Sequence, residues 1–533
     1  MKQDAAPGPD GLNVAFYRAA WPWLGDDIVQ LIHSFYETGN LPPQLNKTFI
    51  VLIPKKSVSI KPEDFRPISL CNVIYKIISK SLAQRIKPHL PHSIHKAQSA
   101  FIPGRHITSN IIIAQEITHS FILSSWNQKG FMLKIDLAKA FDKLNWNFIL
   151  KALLALGFNH TLTNRIAACI IGTSLSVLVN GQPHTTFFPS TGIRQGCPLS
   201  PYLFVIAINE LSKMLQAALH NSSLLGITLG PHCPQIHSLL KNVDTPTRIH
   251  IKNIFPVQNL TASTTHLGHP LIFSHKDRSA AYSFLKHKFI AKLNTIKANK
   301  LSHAGRLTYI NSVLASIPIY YMTNILFPKK FINQLNSILM KFWWAGIQEE
   351  NAKPFHFRAW EDLTTPKSQG GLGIRNLHAV NQSLVLHSTW MIASQKDPFL
   401  HKVIKSKYFL NTTFWKAPNN TPKSVFWSSI LKIKHHLHNN CTFQIHAGNT
   451  NIWTEPWCTN WKNIHNHLLI PITQPTLPNT VSDLWDSETE HWNISLASHT
   501  FDPIITNQIA SLRRVLYPSG QTVYPNKMVY NKL

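Results

Sequence analysis

Two aspartates six residues apart are the residues of this sequence best placed to do chemistry. Asp136 follows the short apolar run 131–135, which predicts a buried strand, and Asp142 precedes a predicted helix that begins near Trp146. A carboxylate at the end of a strand can hold a hard cation such as Mg²⁺. Two such cations, clamped by several carboxylates, are a common way to carry out nucleotidyl transfer. This chemistry requires further carboxylates that converge on Asp136.

The charge of the chain indicates a polyanionic partner. Its 533 residues include 52 Lys and Arg against 24 Asp and Glu, a formal net charge of +28, and the excess runs along the whole sequence. Nucleic acid is the first expectation and an anionic membrane surface the second. A composition that is poor in acids for no functional reason is the third. No membrane span is predicted, because the most apolar stretch, 307–327, contains many polar residues and Pro318.

Cysteine usage and the N-terminal residues indicate an intracellular protein. The six cysteines are far apart and form no C-x-x-C pair, which argues against a zinc ribbon or a disulfide scaffold. Asp4, Pro7 and Asp10 interrupt the N-terminus, so we predict no signal peptide. We expect the protein in the nucleus or the cytoplasm and not outside the cell.

Two basic clusters flank a predicted strand–loop unit. The strand 49–53 ends in Lys55 and Lys56, and the following loop reaches Arg66. Such cations could bind a triphosphate. The alternative is a solvated basic loop. A helix is predicted over 73–86.

Glycines and turns mark the other segments of interest. A tight turn ends in Arg105 before a helix predicted over 108–123, and Asn180–Gly181 predicts a hairpin turn. Gly192 and Gly196 flank Gln195 and would let the backbone approach a ligand closely. A long amphipathic helix is predicted from residue 200 to residue 220.

The pair Asp26–Asp27 is not predicted to be catalytic. It precedes a predicted helix, where two carboxylates satisfy free amides and the helix dipole.

Six motifs occur in the order and spacing that is typical of reverse transcriptases. In detail the sequence resembles the polymerase of plant non-LTR (LINE-type) retrotransposons, over residues 5–460. The motifs are Pro7-Gly-Pro-Asp-Gly11, Leu52-Ile-Pro-Lys-Lys56, Phe65-Arg-Pro-Ile-Ser69, Gln98-Ser-Ala-Phe-Ile-Pro-Gly-Arg105, Lys134-Ile-Asp-Leu-Ala-Lys-Ala-Phe-Asp142 and Gly192-Ile-Arg-Gln-Gly-Cys-Pro-Leu-Ser-Pro201.

The resemblance implies an α+β fold of the right-hand polymerase type. We expect fingers and the start of the palm in residues 1–125 and a partial palm, with an incomplete sheet, in 126–240. A palm remnant and a mainly helical thumb would occupy 241–345, and a LINE-type C-terminal region would occupy 346–460. Beyond 460, where periodicity fades, we expect a linker or a partly ordered tail.

The resemblance also assigns roles on the nucleotide side of the site. Asp136 would be catalytic and would bind Mg²⁺. Phe141 would lie under the incoming sugar and screen against a 2′-hydroxyl. Lys55 or Lys56, together with Arg66, would face the triphosphate of a deoxynucleoside triphosphate.

The remaining roles concern an RNA template and a DNA primer. Gln195 and Gly196 would contact the template and the nascent base pair, and Arg105 would contact the same strands. His266-Leu267-Gly268 resembles the primer-grip turn.

The sequence departs from this family at the second metal-binding turn, which in the family contains an Asp-Asp pair. Here the predicted strand 236–240 runs directly into residues that resemble the family sequence well downstream of that turn. No Asp-Asp pair occurs after residue 142; Asp244 stands where the second aspartate would be, and Val243 occupies the first position. We therefore expect a chain that is truncated at its N-terminus, internally deleted at this turn, weak in Mg²⁺ binding and unable to polymerise.

Three alternatives remain open. The chain could be a non-catalytic nucleic-acid-binding remnant, or it could be an RNA-binding protein that resembles an intron maturase. The latter predicts an intact polymerase core and an RNA-binding appendage, and neither is evident in the sequence. It could also be a reading frame that is not expressed.

Overall fold

The computed structural model of this chain describes most of its residues. The described residues are 1, 3, 5–56, 58–123, 130–132, 137–223, 226–234, 236–241, 264–271, 276, 278–295, 301–346, 357–419, 422–444, 450–458, 460–471, 477–486, 488–489, 491–512 and 527–530.

Helices and strands are mixed along the chain, which confirms the α+β prediction. The helices are α1 (Val14–Ala19), α2 (Trp21–Thr38), α3 (Val73–Ile86), α4 (Leu90–Ser93), α5 (Ile107–Ile122), α6 (Trp146–Ala155), α7 (His160–Ile170), α8 (Ser200–His220), α9 (Arg278–Ala281), α10 (Phe284–Asn294), α11 (His303–Tyr309), α12 (Lys329–Ala345), α13 (Trp360–Thr364), α14 (Leu377–Ala393), α15 (Pro398–Tyr408), α16 (Val425–Asn440), α17 (Ile494–Thr500) and α18 (Pro503–Ser511). The strands are β1 (Lys47–Pro54), β2 (Phe65–Cys71), β3 (Gly130–Met132), β4 (Ser174–Val179), β5 (Gln182–Phe187), β6 (Gly226–Ile227), β7 (Ile236–Lys241), β8 (Thr265–His266), β9 (His269–Pro270), β10 (Cys441–Gln444), β11 (Trp485–Asp486), β12 (His491–Trp492) and β13 (Lys527–Tyr530).

The chain divides into two compact units. Unit 1 comprises Met1–Ile107, Gly130–Ile227 and Ile236–Thr247, and unit 2 comprises Thr108–Lys129, Thr228–Gln235 and Arg248–Leu533. The assignment of these segments to fingers, palm and thumb stays a prediction, as do the predicted domain boundaries.

A four-stranded sheet in unit 1 has the order β2-β1-β4-β5. β1 pairs antiparallel with β2 and parallel with β4, and β4 and β5 form an antiparallel hairpin. Asn180 and Gly181 have φ values of +52° and +80° at the hairpin turn, which confirms the turn predicted there.

The helices around this sheet share one core. Apolar residues of α3 recur on one face, and Tyr75, Ile78 and Leu82 are fully buried. They cluster with buried residues of α6, α7 and α8. By length and composition α8 could also cross a membrane; its residues Leu203 and Ile206 are fully buried in this core.

A second sheet in unit 1 has the order β3-β7-β6. β3 pairs antiparallel with β7, with Phe131 opposite Leu240. The strand predicted at 131–135 is confirmed as far as residue 132, and the strand predicted at 236–240 is confirmed in full. Asp136 lies outside the described residues, as do Val243 and Asp244, so their predicted geometry stays untested.

Unit 2 has a core of aromatic and aliphatic side chains on predicted helices. Leu285 and Phe289 of α10 and Phe331, Leu335 and Leu339 of α12 follow helical spacing and are buried. Ile310–Leu314 continues α11 as a π-helical turn.

A buried charged residue of α5 lies in unit 2. The Glu116 side chain is fully buried and forms an ion pair of 2.8 Å with the Lys407 ammonium group of α15. It also accepts hydrogen bonds from the hydroxyls of Tyr408 (2.5 Å) and Ser424. Every polar group of this network therefore has a partner, which is the condition for burying a charge.

One prediction differs from the structure. Asp26 and Asp27 do not cap a helix, because α2 already begins at Trp21 and places both carboxylates exposed in its second turn. Described residues after 460 form α17, α18 and short 3₁₀ helices, and they bury Trp461, Val481 and Phe501. Over these described residues the chain is packed, since its apolar side chains meet partners distant in sequence, and the linker or partly ordered tail predicted beyond 460 stays a prediction.

Candidate functional site

A loop of unit 1, residues 192–196, is bonded to the turn that follows the Asp136 segment; we call it the Gln195 loop. The amide of Gly192 donates a 2.7 Å hydrogen bond to the carbonyl oxygen of Leu144. The amide of Ile193 donates one of 2.8 Å to the carbonyl oxygen of Phe141. The loop therefore fixes the turn that carries Phe141 and Asp142.

The other side of the Gln195 loop is bonded to β2. The amide of Ser69 donates a 2.7 Å hydrogen bond to the carbonyl oxygen of Gln195. Gly196 has φ +113°, and a Cβ placed on it would lie 2.9 Å from the carbonyl oxygen of Ser69. The two backbones approach too closely for a side chain.

Gly192 allows the same close approach of two backbones on the side of the Phe141 turn. Its φ is +95°, and a Cβ would lie 2.7 Å from the carbonyl oxygen of Asp142. The sequence predicted that Gly192 and Gly196 let the backbone approach a ligand. In the structure both allow the approach of the chain to itself, and their approach to a ligand stays a prediction.

Arg194 anchors the Gln195 loop through buried hydrogen bonds. Sequence reasoning did not single out this residue. Its guanidinium is buried and donates hydrogen bonds to the Thr48 hydroxyl (3.0 Å) and to the carbonyl oxygens of Asn46 (3.3 Å) and Cys169. It also lies 3.9 Å from the ring centroid of Tyr75, a cation–π contact. No local sequence pattern marks this role, because all its partners are distant in sequence.

Phe141 is fixed by stacking. Its ring lies nearly parallel to that of Phe204, at 13° and with 5.1 Å between the centroids. Phe141 is partly buried and packs against the core of unit 1 beside the Gln195 loop. This position fits a contact with an incoming sugar, which stays a prediction.

The three cations predicted to face a triphosphate differ in their contacts. The Lys56 ammonium lies 2.8 Å from Asp64 Oδ1, and this hydrogen bond, with those from the amides of Lys61 and Ile60, holds the pKa of that carboxyl below its usual value. The Lys55 ammonium donates to the carbonyl oxygen of Glu63 at 2.8 Å.

Arg66 lies opposite Ile53 in the β1–β2 ladder. It is exposed and has no carboxylate within 4.0 Å among the described residues. Of the three cations it is therefore the one with its charge least engaged. The contact of all three with a triphosphate remains to be tested.

Arg105 is engaged by the chain itself. Its guanidinium donates four hydrogen bonds to carbonyl oxygens, those of Pro91, Ile94, His95 and Gln98, at 2.6–2.8 Å. These bonds close the turn around the end of α4. The predicted contact with a template or primer would have to share a group already used to hold the fold.

The turn His266-Leu267-Gly268 belongs to unit 2. It connects β8 and β9, with His266 opposite His269. The sequence predicted a turn here, and the structure contains one.

A cavity of about 420 Å³ opens beside the Gln195 loop. All four strands of the four-stranded sheet contribute to its wall, together with the loop itself. Its lining is partly apolar and partly polar, and the volume falls in the range of small-ligand sites. Residues of the lining include Ile50, Ser69, Asp142, Leu175, Phe187 and Gln195.

The described residues do not provide a metal site. Within them no three His, Cys, Asp or Glu side chains come together as ligands would. Asp142 is exposed, and Asp136, the predicted Mg²⁺ ligand, lies outside them.

Part of the chain that forms this geometry is similar to a known protein family. Residues 53–229 match the family described as reverse transcriptase (RNA-dependent DNA polymerase). The matched range contains the Gln195 loop, β2 and the turn at Phe141.

Two of the relatives come from transposable elements. The transposon TX1 uncharacterized 149 kDa protein of Xenopus laevis is 30% identical over 219 residues, which cover 41% of this chain and 17% of that protein. The Pol polyprotein of the retrotransposable element R2DM of Drosophila melanogaster is 27% identical over 214 residues, 40% of this chain and 19% of that protein. The chain thus spans less than a fifth of the length of either relative.

A solved structure of another protein also aligns with this chain. Telomerase from Candida albicans, solved with a fragment of telomeric RNA, aligns over 72% of this chain and 70% of its own, with 12% identity and a TM-score of 0.29. A TM-score this low gives no support to a structural argument.

Proposed function

We propose that this chain is a LINE-type reverse transcriptase derivative that binds an RNA template paired with a DNA primer but does not extend the primer. One observation carries the binding half of this proposal: the Gln195 loop is hydrogen-bonded to β2 on one side and to the Phe141 turn on the other. Three segments that the family uses around the nascent base pair are thereby held together in unit 1.

The proposal gives these residues their roles. Gln195 and Gly196 face the template, Phe141 faces the sugar of a deoxynucleoside triphosphate, and Arg66 faces its phosphates. Lys55 and Lys56 stand near Arg66 on the same β1–β2 unit. Contact of His266–Gly268 with the primer, and of Arg105 with either strand, belongs to the same proposal.

The sequence supports the absence of polymerisation. Two-metal catalysis needs several carboxylates that converge on the ions, and this chain has no Asp-Asp pair after residue 142. With Asp136 alone in place, Mg²⁺ would be held weakly. Loss of the electrostatic stabilisation that the ions supply lowers a rate by orders of magnitude.

Binding to labelled nucleic acids tests the first half. We expect fluorescence anisotropy to show tighter binding to an RNA–DNA template–primer than to duplex DNA, with an affinity that falls as salt rises. Arg66→Met should weaken binding of the template–primer, and this loss should be larger when a deoxynucleoside triphosphate is present. Lys402→Met, on α15 of unit 2, should not show this effect. Equal affinity for both duplexes at all salt concentrations contradicts the proposal.

A further inference from the structure

Two tryptophans of unit 2 form the walls of a cleft, which we call the Trp485–Trp492 cleft. Trp485 of β11 lies opposite Trp492 of β12 in an antiparallel pair. Their indoles are nearly perpendicular, at 85°, with 4.9 Å between the ring centroids. The volume of the cleft, about 320 Å³, is at the lower end of the range for small-ligand sites. Its lining consists of both indoles with His491, Ile494, Ala510 and Leu512.

The cleft has a fixed wall and reaches the surface. The indole Nε1 of Trp492 donates a 2.8 Å hydrogen bond to the carbonyl oxygen of Leu512. A tryptophan whose N–H is bonded in this way holds its ring in one orientation. Ile494, which contributes to the lining, is 40% exposed. The aromatic wall therefore exists before any ligand binds, and a side chain from outside can reach it.

The segment that carries the cleft has a charge opposite to that of the whole chain. Residues 463–512 contain no Lys or Arg, and their five acids give a formal charge of −5 with histidine neutral, whereas the chain as a whole carries +28. This local field attracts a cation and repels a polyanion. The five acids are Asp483, Asp486, Glu488, Glu490 and Asp502.

Two of these acids belong to the hairpin that forms the cleft. Asp486 lies opposite His491, a residue of the lining, in the β11–β12 pair. Side chains that are directly opposed in such a pair lie within about 5.5 Å of each other at Cβ. The amide of Glu488 donates a 2.9 Å hydrogen bond to Asp486 Oδ1, and this bond is the main reason why the pKa of Asp486 is below its usual value. Glu488 itself is exposed in the turn between the strands.

The combination of indoles and carboxylates selects among possible occupants. A nucleobase can stack on an indole, but its phosphates would meet the acids of this segment. An uncharged aliphatic side chain would gain nothing from these acids. A guanidinium suits both features, because it is planar, stacks on an aromatic face and donates paired hydrogen bonds to a carboxylate.

We propose that the Trp485–Trp492 cleft is a docking site for an arginine side chain in a basic segment of a partner protein. The guanidinium stacks on an indole, and the carboxylates of Asp486 and Glu488 balance its charge. This partner is a protein, whereas the proposed function concerns nucleic acid. Either proposal can therefore fail without the other.

Peptide binding to the full-length chain tests the chemistry of the cleft. The probe is a fluorescent peptide of alternating glycine and arginine, compared with a glycine–lysine peptide of the same charge. We expect the arginine peptide to bind several-fold more tightly, because an ammonium group lacks the planar fork that stacks and pairs. The net positive charge of the chain opposes nonspecific binding of both peptides. Equal binding of the two peptides would contradict the proposal.

Variants of the acids locate the binding. Glu488→Gln and Asp486→Asn should each weaken binding of the arginine peptide several-fold. Glu361→Gln, which changes an exposed acid on α13 of the same unit, is the matched control and should have little effect. If Glu488→Gln, at an exposed turn position, binds as Glu361→Gln does, the cleft does not use this carboxylate and the proposal is wrong.

Fluorine NMR of the chain labelled with 5-fluorotryptophan reports the position directly. Trp485→Phe and Trp492→Phe identify the two resonances by their loss. The arginine peptide should shift both and leave the resonance of Trp427, which is fully buried, in place. A shift caused by an RNA oligonucleotide and not by the peptide would show that the cleft takes a base, and a shift caused by protein concentration alone would show that it takes a second copy.

The chain also has its own arginines next to this segment, Arg513 and Arg514 in the sequence. If the peptide binds only after Arg513→Met and Arg514→Met are introduced together, the chain fills its own cleft. This result, or either of the two other shifts, would overturn the inference. Binding of the arginine peptide that shifts both tryptophan resonances without these substitutions supports it.

Discussion

The amide of Ser69 donates a 2.7 Å hydrogen bond to the carbonyl oxygen of Gln195. This bond joins β2 to a loop that is held on its other side by the Phe141 turn. One short loop therefore sets the spacing of three segments, and changes in it should affect stability and binding together.

Gly196→Ala should break this junction. The new Cβ would lie 2.9 Å from the carbonyl oxygen of Ser69, at a backbone φ of +113°. We expect a loss of unfolding free energy of about 1–3 kcal/mol, measured by urea denaturation, and weaker binding of the template–primer.

Gly172→Ala is its matched control in unit 1. Gly172 also has a positive φ, +70°, but a Cβ there would meet nothing within 4 Å. The Gly172→Ala variant therefore measures the cost of a side chain at positive φ without a steric clash. Equal losses in the two variants would show that the close approach to Ser69 has no effect.

Arg194→Lys should destabilise unit 1 although it keeps the charge. A lysine cannot reach Asn46, Thr48 and Cys169 together, because it lacks the planar fork of the guanidinium. Unsatisfied buried acceptors would cost about 2–4 kcal/mol in the same denaturation measurement. Arg66→Lys, at an exposed position, should stay within about 0.5 kcal/mol; a similar loss in both variants would refute the anchoring role of Arg194.

Lys407→Met should strongly destabilise unit 2. It leaves the fully buried Glu116 carboxylate without its ion pair, which typically costs about 3–5 kcal/mol. Lys213→Met breaks a half-buried pair with Glu210 of the same 2.8 Å length and should cost less than about 1 kcal/mol. If Lys407→Met loses no more unfolding free energy than Lys213→Met, the buried pair contributes little to stability.

The same network predicts a pH dependence. Burial alone would raise the pKa of Glu116, but the Lys407 charge and the hydrogen bonds from Lys407, Ser424 and Tyr408 outweigh it and lower the pKa below its usual value. A lowered folded-state pKa stabilises the protein above the unfolded-state pKa, and this stabilisation disappears as the pH falls through the folded-state value. As the pH falls, the unfolding free energy of the Glu116→Gln variant should therefore decrease less than that of the unsubstituted chain.

His269 should titrate in a higher window. Burial lowers its pKa from 6.5 to about 4. Between these values the unfolded chain binds a proton that the folded chain excludes, so unfolding free energy should fall as the pH drops from 6.5 to 4, by up to about 3 kcal/mol. His269→Phe should flatten this window relative to the exposed control His287→Phe. Parallel pH curves for the two variants would show that His269 is not the group responsible.

Local patterns predicted the elements well where periodicity and turn chemistry act over a few residues. The apolar spacing of Val73–Ile86 and Ser200–His220 gave helices with those bounds, and Asn180–Gly181 gave the hairpin turn. The strands at 131–135 and 236–240 were also predictable, although the antiparallel pairing of β3 with β7 was not.

Long-range partners could not be predicted in the same way. Arg105 looks like a free cation in the sequence, but four carbonyl oxygens surround it in the structure. Glu116 finds its ion pair 291 positions away at Lys407. A local window contains no sign of such partners, because they are set by tertiary packing.

Primer extension tests the central claim most directly. The full-length chain is incubated with a labelled DNA primer on an RNA template, all four deoxynucleoside triphosphates and Mg²⁺ or Mn²⁺, and binding is measured in the same mixture. We predict that the chain binds the template–primer in a salt-dependent way and adds no nucleotide to the primer. Extension of the primer by the unsubstituted chain that disappears in Asp136→Ala would contradict the account.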